Sequence, residues 1–215
     1  MTAAKLRLML IAREVAVKTA TSRNHVQTVP GPPHDLFISH RGPDTRRSIA
    51  GLLHDHLLRR GLRPFIDYRN LKAGEKLSEK IDTAVQECKV GVVVFSPRYC
   101  ESYYCLHELA LLLEFPKRVI PIFYNVNPSQ LGVGDISNRT CVSDHKELER
   151  FSRALEEAKN IIGLHFDSSS GYWSEFLQSA SNAIIEQINL LRGPSDIMYY
   201  ISYDDQCVKN LFQCS

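Results

Sequence analysis

The chain has 215 residues, of which 44% are hydrophobic and 23% charged, with 26 Lys and Arg against 24 Asp and Glu. That length suits one good-sized domain, and the mix is that of an ordinary globular protein, which excludes collagen-like, heptad-repeat and disordered classes. No run of about 18 apolar residues offers a membrane-spanning helix, and a net charge of +2 gives no electrostatic basis for binding nucleic acid.

Residues 1–33 differ from the rest. Lys5, Arg7, Arg13, Lys18 and Arg23 stand against the single acidic Glu14. Leu6-Arg7-Leu8-Met9-Leu10-Ile11-Ala12 is interrupted by arginine, which suits a secretory signal poorly. The segment reads as a basic, disordered tail in a cytoplasmic protein. The alternative is an organelle-targeting segment, although it is not rich in serine. Pro30-Gly31-Pro32-Pro33 breaks the chain before a folded domain at 34–191, and 192–215 reads as a C-terminal tail. The six cysteines, Cys88, Cys100, Cys105, Cys141, Cys207 and Cys214, form no CxxC pair and read as reduced, mostly buried thiols.

From His34 onward, strand-like and helix-like pieces alternate. Leu36-Phe37-Ile38 is a short apolar run. A helix is predicted from about Thr45 to Arg60, with Asp44 as candidate N-cap and an apolar stripe of Ile49, Leu52, Leu53 and Leu57. Pro64-Phe65-Ile66 leads into a polar loop from Asp67 to Lys76. A second helix carries Ile81, Ala84, Val85 and Cys88 on one face. Val90-Gly91-Val92-Val93-Val94-Phe95 has no polar alternation, as expected of a strand buried on both faces. A helix follows near Ser102 to Phe115, then Val119 to Tyr124, where Pro121 argues against a central strand. A charged helix near His145 to Asn160, the run Ile161 to Leu164, and a last helix from Trp173 to Leu191 complete the domain. The alternation predicts an α/β domain with a parallel sheet and helices on both faces. Ligands of such sheets bind beyond the carboxyl ends of the strands.

The loops there carry no GxGxxG and no GxxxxGK[ST], which argues against the usual dinucleotide fold and a P-loop NTPase. No metal-binding pattern occurs, and His54-Asp55-His56 sits mid-helix with its histidines on different faces. No metal and no resident cofactor are expected.

Two segments stand out: His34-Asp35-Leu36-Phe37-Ile38-Ser39-His40-Arg41-Gly42-Pro43-Asp44-Thr45-Arg46 and Ser102-Tyr103-Tyr104-Cys105-Leu106-His107-Glu108-Leu109. With Phe65-Ile66-Asp67 and Pro121-Ile122-Phe123-Tyr124-Asn125-Val126-Asn127-Pro128-Ser129, the chain resembles a plant-type TIR domain over roughly residues 33–191. The resemblance implies a flavodoxin-like, five-stranded parallel sheet in the order 2-1-3-4-5. It implies self-association, association with other TIR proteins, and cleavage of the nicotinamide–ribose bond of NAD+ or NADP+ in plant immune signalling. It puts the catalytic carboxylate on Glu108. Nucleotide contacts fall on Arg41, Gly42, Asp44, Thr45 and Arg46, on Phe65 and Asp67, on Lys72 and Gly74 of a gating loop, and on Ser96, Tyr104 and Cys105. NAD+ enters as substrate.

The chemistry of the residues agrees. Breaking that glycosidic bond develops positive charge on the ribose, which a carboxylate in a water-poor cleft stabilises. Nicotinamide leaves as a neutral molecule from a cationic precursor, so one carboxylate suffices. Tyr103 or Tyr104 can stack on a ring, and Arg41 can pair with a pyrophosphate.

Three positions depart from the family pattern. Tyr104 stands for tryptophan before Cys-Leu, Gly51-Leu52 for the Ser-His pair through which many plant immune-receptor TIR domains pack, and Pro43 for an acidic residue. The departures at Tyr104, Gly51 and Leu52 motivate an alternative, a non-enzymatic adaptor that docks other TIR domains. Production of cyclic nucleotides from nucleic acid through Cys105 is a weaker third reading. A flavin site is disfavoured because Ser39 to Pro43 lacks a run of small hydroxyl residues.

Overall fold

The computed structural model describes residues 34–191 apart from 72–73, 75 and 133–144. The expectations for 1–33 and 192–215, and for Lys72, Cys141, Cys207 and Cys214, lie outside the described residues. Five strands, β1 (Leu36–His40), β2 (Pro64–Phe65), β3 (Val90–Phe95), β4 (Arg118–Tyr124) and β5 (Leu164–Phe166), form one sheet in the order β2-β1-β3-β4-β5. Every pairing is parallel. The helices are α1 (Gly42–Thr45), α2 (Ile49–Arg59), α3 (Asp67–Asn70), α4 (Leu77–Glu87), α5 (Tyr103–Glu114), α6 (His145–Lys159) and α7 (Trp173–Leu190). Single 3-10 turns lie at Tyr99–Glu101 and Pro128–Gln130.

Side chains alternate along a strand, and here both rows are buried. Phe37, Val93, Phe95 and Phe123 pack with Ile81 and Val85 of α4, Leu106 and Leu109 of α5, and Phe151 and Leu155 of α6. Leu36, Ile38, Val90, Val92, Val94 and Ile122 turn the other way, onto Ile49, Leu53 and Leu57 of α2 and Ile184 and Ile188 of α7. Burial on both sides explains the unbroken apolar run of β3. It also fixes a direction that matters below: Ser39 lies two residues after Phe37, so its side chain points toward α5.

Four expectations are corrected. The helix expected from Thr45 to Arg60 is two helices, α1 and α2, parted at Ser48, whose φ of −128° and ψ of −121° are not helical. Asp44 lies inside α1 and caps nothing; its carboxylate is drawn to three side chains described below. Leu52 is 44% exposed rather than part of the buried stripe. Finally, β4 is interior despite Pro121, which pairs in register with Val93 of β3. The Pro121 carbonyl is directed at Gly163, where an added Cβ would lie 2.7 Å from that oxygen. Backbone N and C=O of one strand residue face the same neighbour, so the missing N–H falls on the β5 side. There β4 pairs with β5 only from Ile122 onward, and no ladder bond is lost.

Candidate active site

Strand order reverses between β1 and β3, because the chain leaves β1 for β2 on one side and returns to β3 on the other. That is the topological switch at which α/β sheets place ligands. Two clusters of polar side chains meet there.

The first cluster is buried. Cys105, Leu106, Glu108, Leu109 and Leu112 form the inner face of α5, so Glu108 occupies a position that periodicity alone would give to an apolar residue. It is only 6% exposed. Its Oε2 lies 2.6 Å from Ser39 Oγ at the end of β1. Ser39 Oγ is also 2.7 Å from the hydroxyl of Tyr99, which donates to the Cys105 carbonyl at 2.8 Å. Burial pushes the Glu108 carboxyl up to about 8, and the charge of Asp67 adds to the effect while the Ser39 hydrogen bond opposes it. Burial also tends to raise Asp67, but the bond and charge of His40, the Tyr68 N–H and the charge of Arg46 outweigh it and hold that carboxyl below its ordinary value. Two acids in one crevice, pushed in opposite directions, form the pattern of an acid–base site. Burial first, and then Glu108, push the Cys105 thiol well above the ordinary range. A thiol so placed stays protonated and is a poor nucleophile.

The second cluster opens outward. Asp44 Oδ1 accepts from Arg41 at 2.7 Å and from Arg98 at 2.5 Å, and Asp44 Oδ2 accepts from Ser96 at 2.8 Å. Arg41 also lies 3.7 Å from Glu101. Both guanidiniums therefore reach one carboxylate oxygen, Arg41 from the same turn after β1 and Arg98 across the gap from the end of β3. Thr45 links the clusters: its hydroxyl donates to the Arg41 carbonyl at 3.0 Å and lies 2.9 Å from His40 Nδ1.

The base of the loop after β2 is held at three points. His40 Nε2 is 3.3 Å from Asp67 Oδ1. Tyr68 lies under the guanidinium of Arg46, 4.8 Å from its ring centroid. Arg69 pairs with Asp55 and reaches His54 Nδ1 at 3.0 Å. His54 is 5% exposed, and burial lowers its pKa.

A TIR-domain family model matches residues 33–196. The chain belongs to the TIR family. It is 44% identical over 152 residues to a Brachypodium distachyon protein described as "Probable 2' cyclic ADP-D-ribose synthase BdTIR", covering 71% of this chain and 68% of that one. It is 34% identical over 168 residues to disease resistance protein RPV1 of Vitis rotundifolia, covering 74% of this chain but 12% of that much longer protein. Among solved structures, the TIR domains of the activated Roq1 resistosome superpose with a TM-score of 0.62 at 34% identity, covering 70% of this chain and 99% of theirs.

In this TIR domain, Glu108 bonds to Ser39 and feels the charge of Asp67, as does Cys105, while Arg41 and Ser96 converge on Asp44. Gly42 begins α1, where a Cβ would lie 3.2 Å from the Arg46 guanidinium. Gly74 has a φ of +93°, a conformation that suits glycine in a tight loop. Phe65 is buried, with its ring stacked on Phe37 at 5.3 Å. The two tyrosines before Cys105 part company. Tyr103 donates to Glu147 at 2.7 Å and packs on Phe151, and that hydrogen bond, with some burial, pushes its hydroxyl to about 12. Tyr104 stays 53% exposed. Sequence reasoning missed Tyr99 and Arg98 and used Ser39 only as part of a motif. Row parity with Phe37 was the available signal for Ser39.

Proposed function

We propose that this TIR domain cleaves the nicotinamide–ribose bond of NAD+, or of NADP+, with Glu108 as the catalytic carboxylate. The observation that carries this reading is a carboxyl group on the apolar face of α5, delivered to the β1/β3 switch beside Asp67. The similarity to a protein named as a probable cyclic ADP-ribose synthase supports it. As the bond breaks, nicotinamide leaves neutral and positive charge develops on the ribose. An ionised Glu108 beside that sugar stabilises the charge in a site where screening is weak. Water, or a hydroxyl of the same molecule, then captures the anomeric carbon, giving ADP-ribose or a cyclised product. Arg41 serves the pyrophosphate by exchanging Asp44 or Glu101 for a phosphate oxygen.

Free, buried Cys88, Cys100 and Cys105 fit a reducing, cytoplasmic setting. Self-association is part of the proposal. Leu52 and Leu58 of α2 are 44% and 47% exposed, and these apolar side chains favour docking to another copy. The same feature favours a second reading, an adaptor that docks other TIR domains without catalysis.

Incubation of the purified chain with NAD+ separates the two. Release of nicotinamide by wild type, reduced on the order of 10²-fold or more in a folded Glu108→Ala protein, supports the enzyme. Equal release by both removes Glu108 from the chemistry, and none from either leaves the adaptor.

A further inference from the structure

The contacts around Glu108 pose a question of proton count. Three oxygen–oxygen contacts run in series: Glu108 Oε2 to Ser39 Oγ at 2.6 Å, Ser39 Oγ to Tyr99 Oη at 2.7 Å, and Tyr99 Oη to the Cys105 carbonyl at 2.8 Å. Each distance is that of an O–H···O hydrogen bond, so each needs one proton. A carboxylate at Glu108 leaves two protons for the three contacts, one on Ser39 and one on Tyr99. Ser39 then donates to Glu108, Tyr99 to Cys105, and two oxygens face each other at 2.7 Å with no proton between them. Such an arrangement is costly in a site where Ser39 and Tyr99 are both 0% exposed. A protonated Glu108 supplies the third proton. The carboxyl donates to Ser39, Ser39 to Tyr99 and Tyr99 to the carbonyl, and every polar atom in the series is satisfied.

We propose that Tyr99 is a positioning residue that holds Glu108 as a neutral acid in the resting protein by taking up the Ser39 proton, that Ser39 is the relay between the two, and that the catalytic state forms when the Glu108 proton is released to solvent. The proposal rests on Glu108 being the catalytic carboxylate. The ionisable groups facing Glu108 among the described residues are Asp67 of α3, Tyr99 of the 3-10 turn and Cys105 one turn earlier on α5; Asp67 is itself paired with His40 of β1. The negative Asp67 reinforces the neutral form, in agreement with the raised Glu108 pKa. A cationic nicotinamide ring entering the crevice acts in the opposite sense and favours the ionised form.

Substitutions at Tyr99 and Ser39 have effects of opposite sign. Tyr99→Phe removes the acceptor for the Ser39 proton. Ser39 is then free to donate to Glu108, which favours the carboxylate. Ser39→Ala removes the hydrogen-bond donor that stabilises the carboxylate, which favours the acid. The test is infrared spectroscopy of the full chain, following the carbonyl stretch of a protonated carboxyl group against a Glu108→Gln blank, with the pH profile of nicotinamide release in parallel. In wild type, one acid carbonyl is expected at about pH 6 that disappears on titration toward alkaline pH. Its midpoint, and the acid limb of kcat/KM, move down by about one pH unit in Tyr99→Phe and up by about one in Ser39→Ala. A purely structural role for these residues would not shift the two in opposite directions.

An ionised Glu108 in wild type at about pH 6, or shifts of the same sign in both variants, overturns the proposal. The wild-type spectrum decides the first point even if a variant fails to fold. An acid carbonyl in a protein that releases no nicotinamide removes the NAD+ reading and keeps the proton arrangement. Nicotinamide release from a protein whose Glu108 is ionised throughout does the reverse.

Discussion

Ser96, the residue that follows β3, donates to Asp44 of α1 at 2.8 Å, so one hydrogen bond closes the carboxyl ends of the two strands that flank the switch point. Arg41 and Arg98 share the other oxygen of the same carboxylate. Asp44, with a side chain only 8% exposed, is the keystone of this group, whereas the Arg98 side chain is 56% exposed. Asp44→Ala leaves the buried Ser96 hydroxyl and Arg41 without their shared acceptor and is expected to cost about 1–3 kcal/mol. Arg98→Ala is expected to cost about 1 kcal/mol or less, because an exposed ion pair is well screened. Urea unfolding of the two variants checks the ranking; equal losses would contradict it.

Glu108 gives the fold a pH signature. Its folded-state pKa is raised from 4.5 to about 8. Between those values the unfolded chain has lost this proton and the folded chain keeps it, so the folded state binds more protons and stability falls as pH rises through the window. Glu108→Gln lacks this slope. Its Tm is expected to gain on wild type by about 10 °C between roughly pH 5 and pH 9. Calorimetry at the two pH values measures this, and a gap independent of pH counts against a buried neutral acid.

Gly51 is fixed by a close approach. A Cβ on it would lie 2.5 Å from the Arg46 carbonyl and 3.2 Å from the Tyr68 hydroxyl, and the first of these is backbone that cannot move aside cheaply. Gly51→Ser, which restores the residue that many plant immune-receptor relatives are expected to carry, should therefore destabilise this chain by about 1–3 kcal/mol. A Tm unchanged from wild type would show that α2 can shift away from the Arg46 turn.

If copies of the chain complete one another's sites, nicotinamide release per chain rises with protein concentration by mass action. Flat specific activity over roughly a hundredfold dilution, with sedimentation showing a monomer, would remove that dependence.

Much of this was legible in the sequence, for identifiable reasons. The β3 run was unambiguous because a strand covered on both faces cannot alternate. The Ser102 to Phe115 helix was placed to within a residue, and in the structure Ser102 caps it, accepting from the Cys105 N–H. Pro121 misled because the rule against proline in interior strands takes no account of which neighbour faces the missing N–H. The split between α1 and α2 was hidden because Asp44 fits an N-cap pattern while its carboxylate is held by Arg41, Ser96 and Arg98, a tertiary preference invisible to local patterning. Glu108 was found through the motif. Its partners Ser39 and Tyr99 lie 69 and 9 positions away, and only the folded sheet brings them together.

The outer strands of the sheet are short: β2 has two residues and β5 three, and Pro121 removes the one backbone donor that would let β5 extend toward its start. Neither rim therefore offers a row of free peptide groups long enough to template an added strand. Copies of this chain that gather must do so through helical faces and loops, which leaves the sheet interior, and the buried acid it positions, undisturbed by assembly.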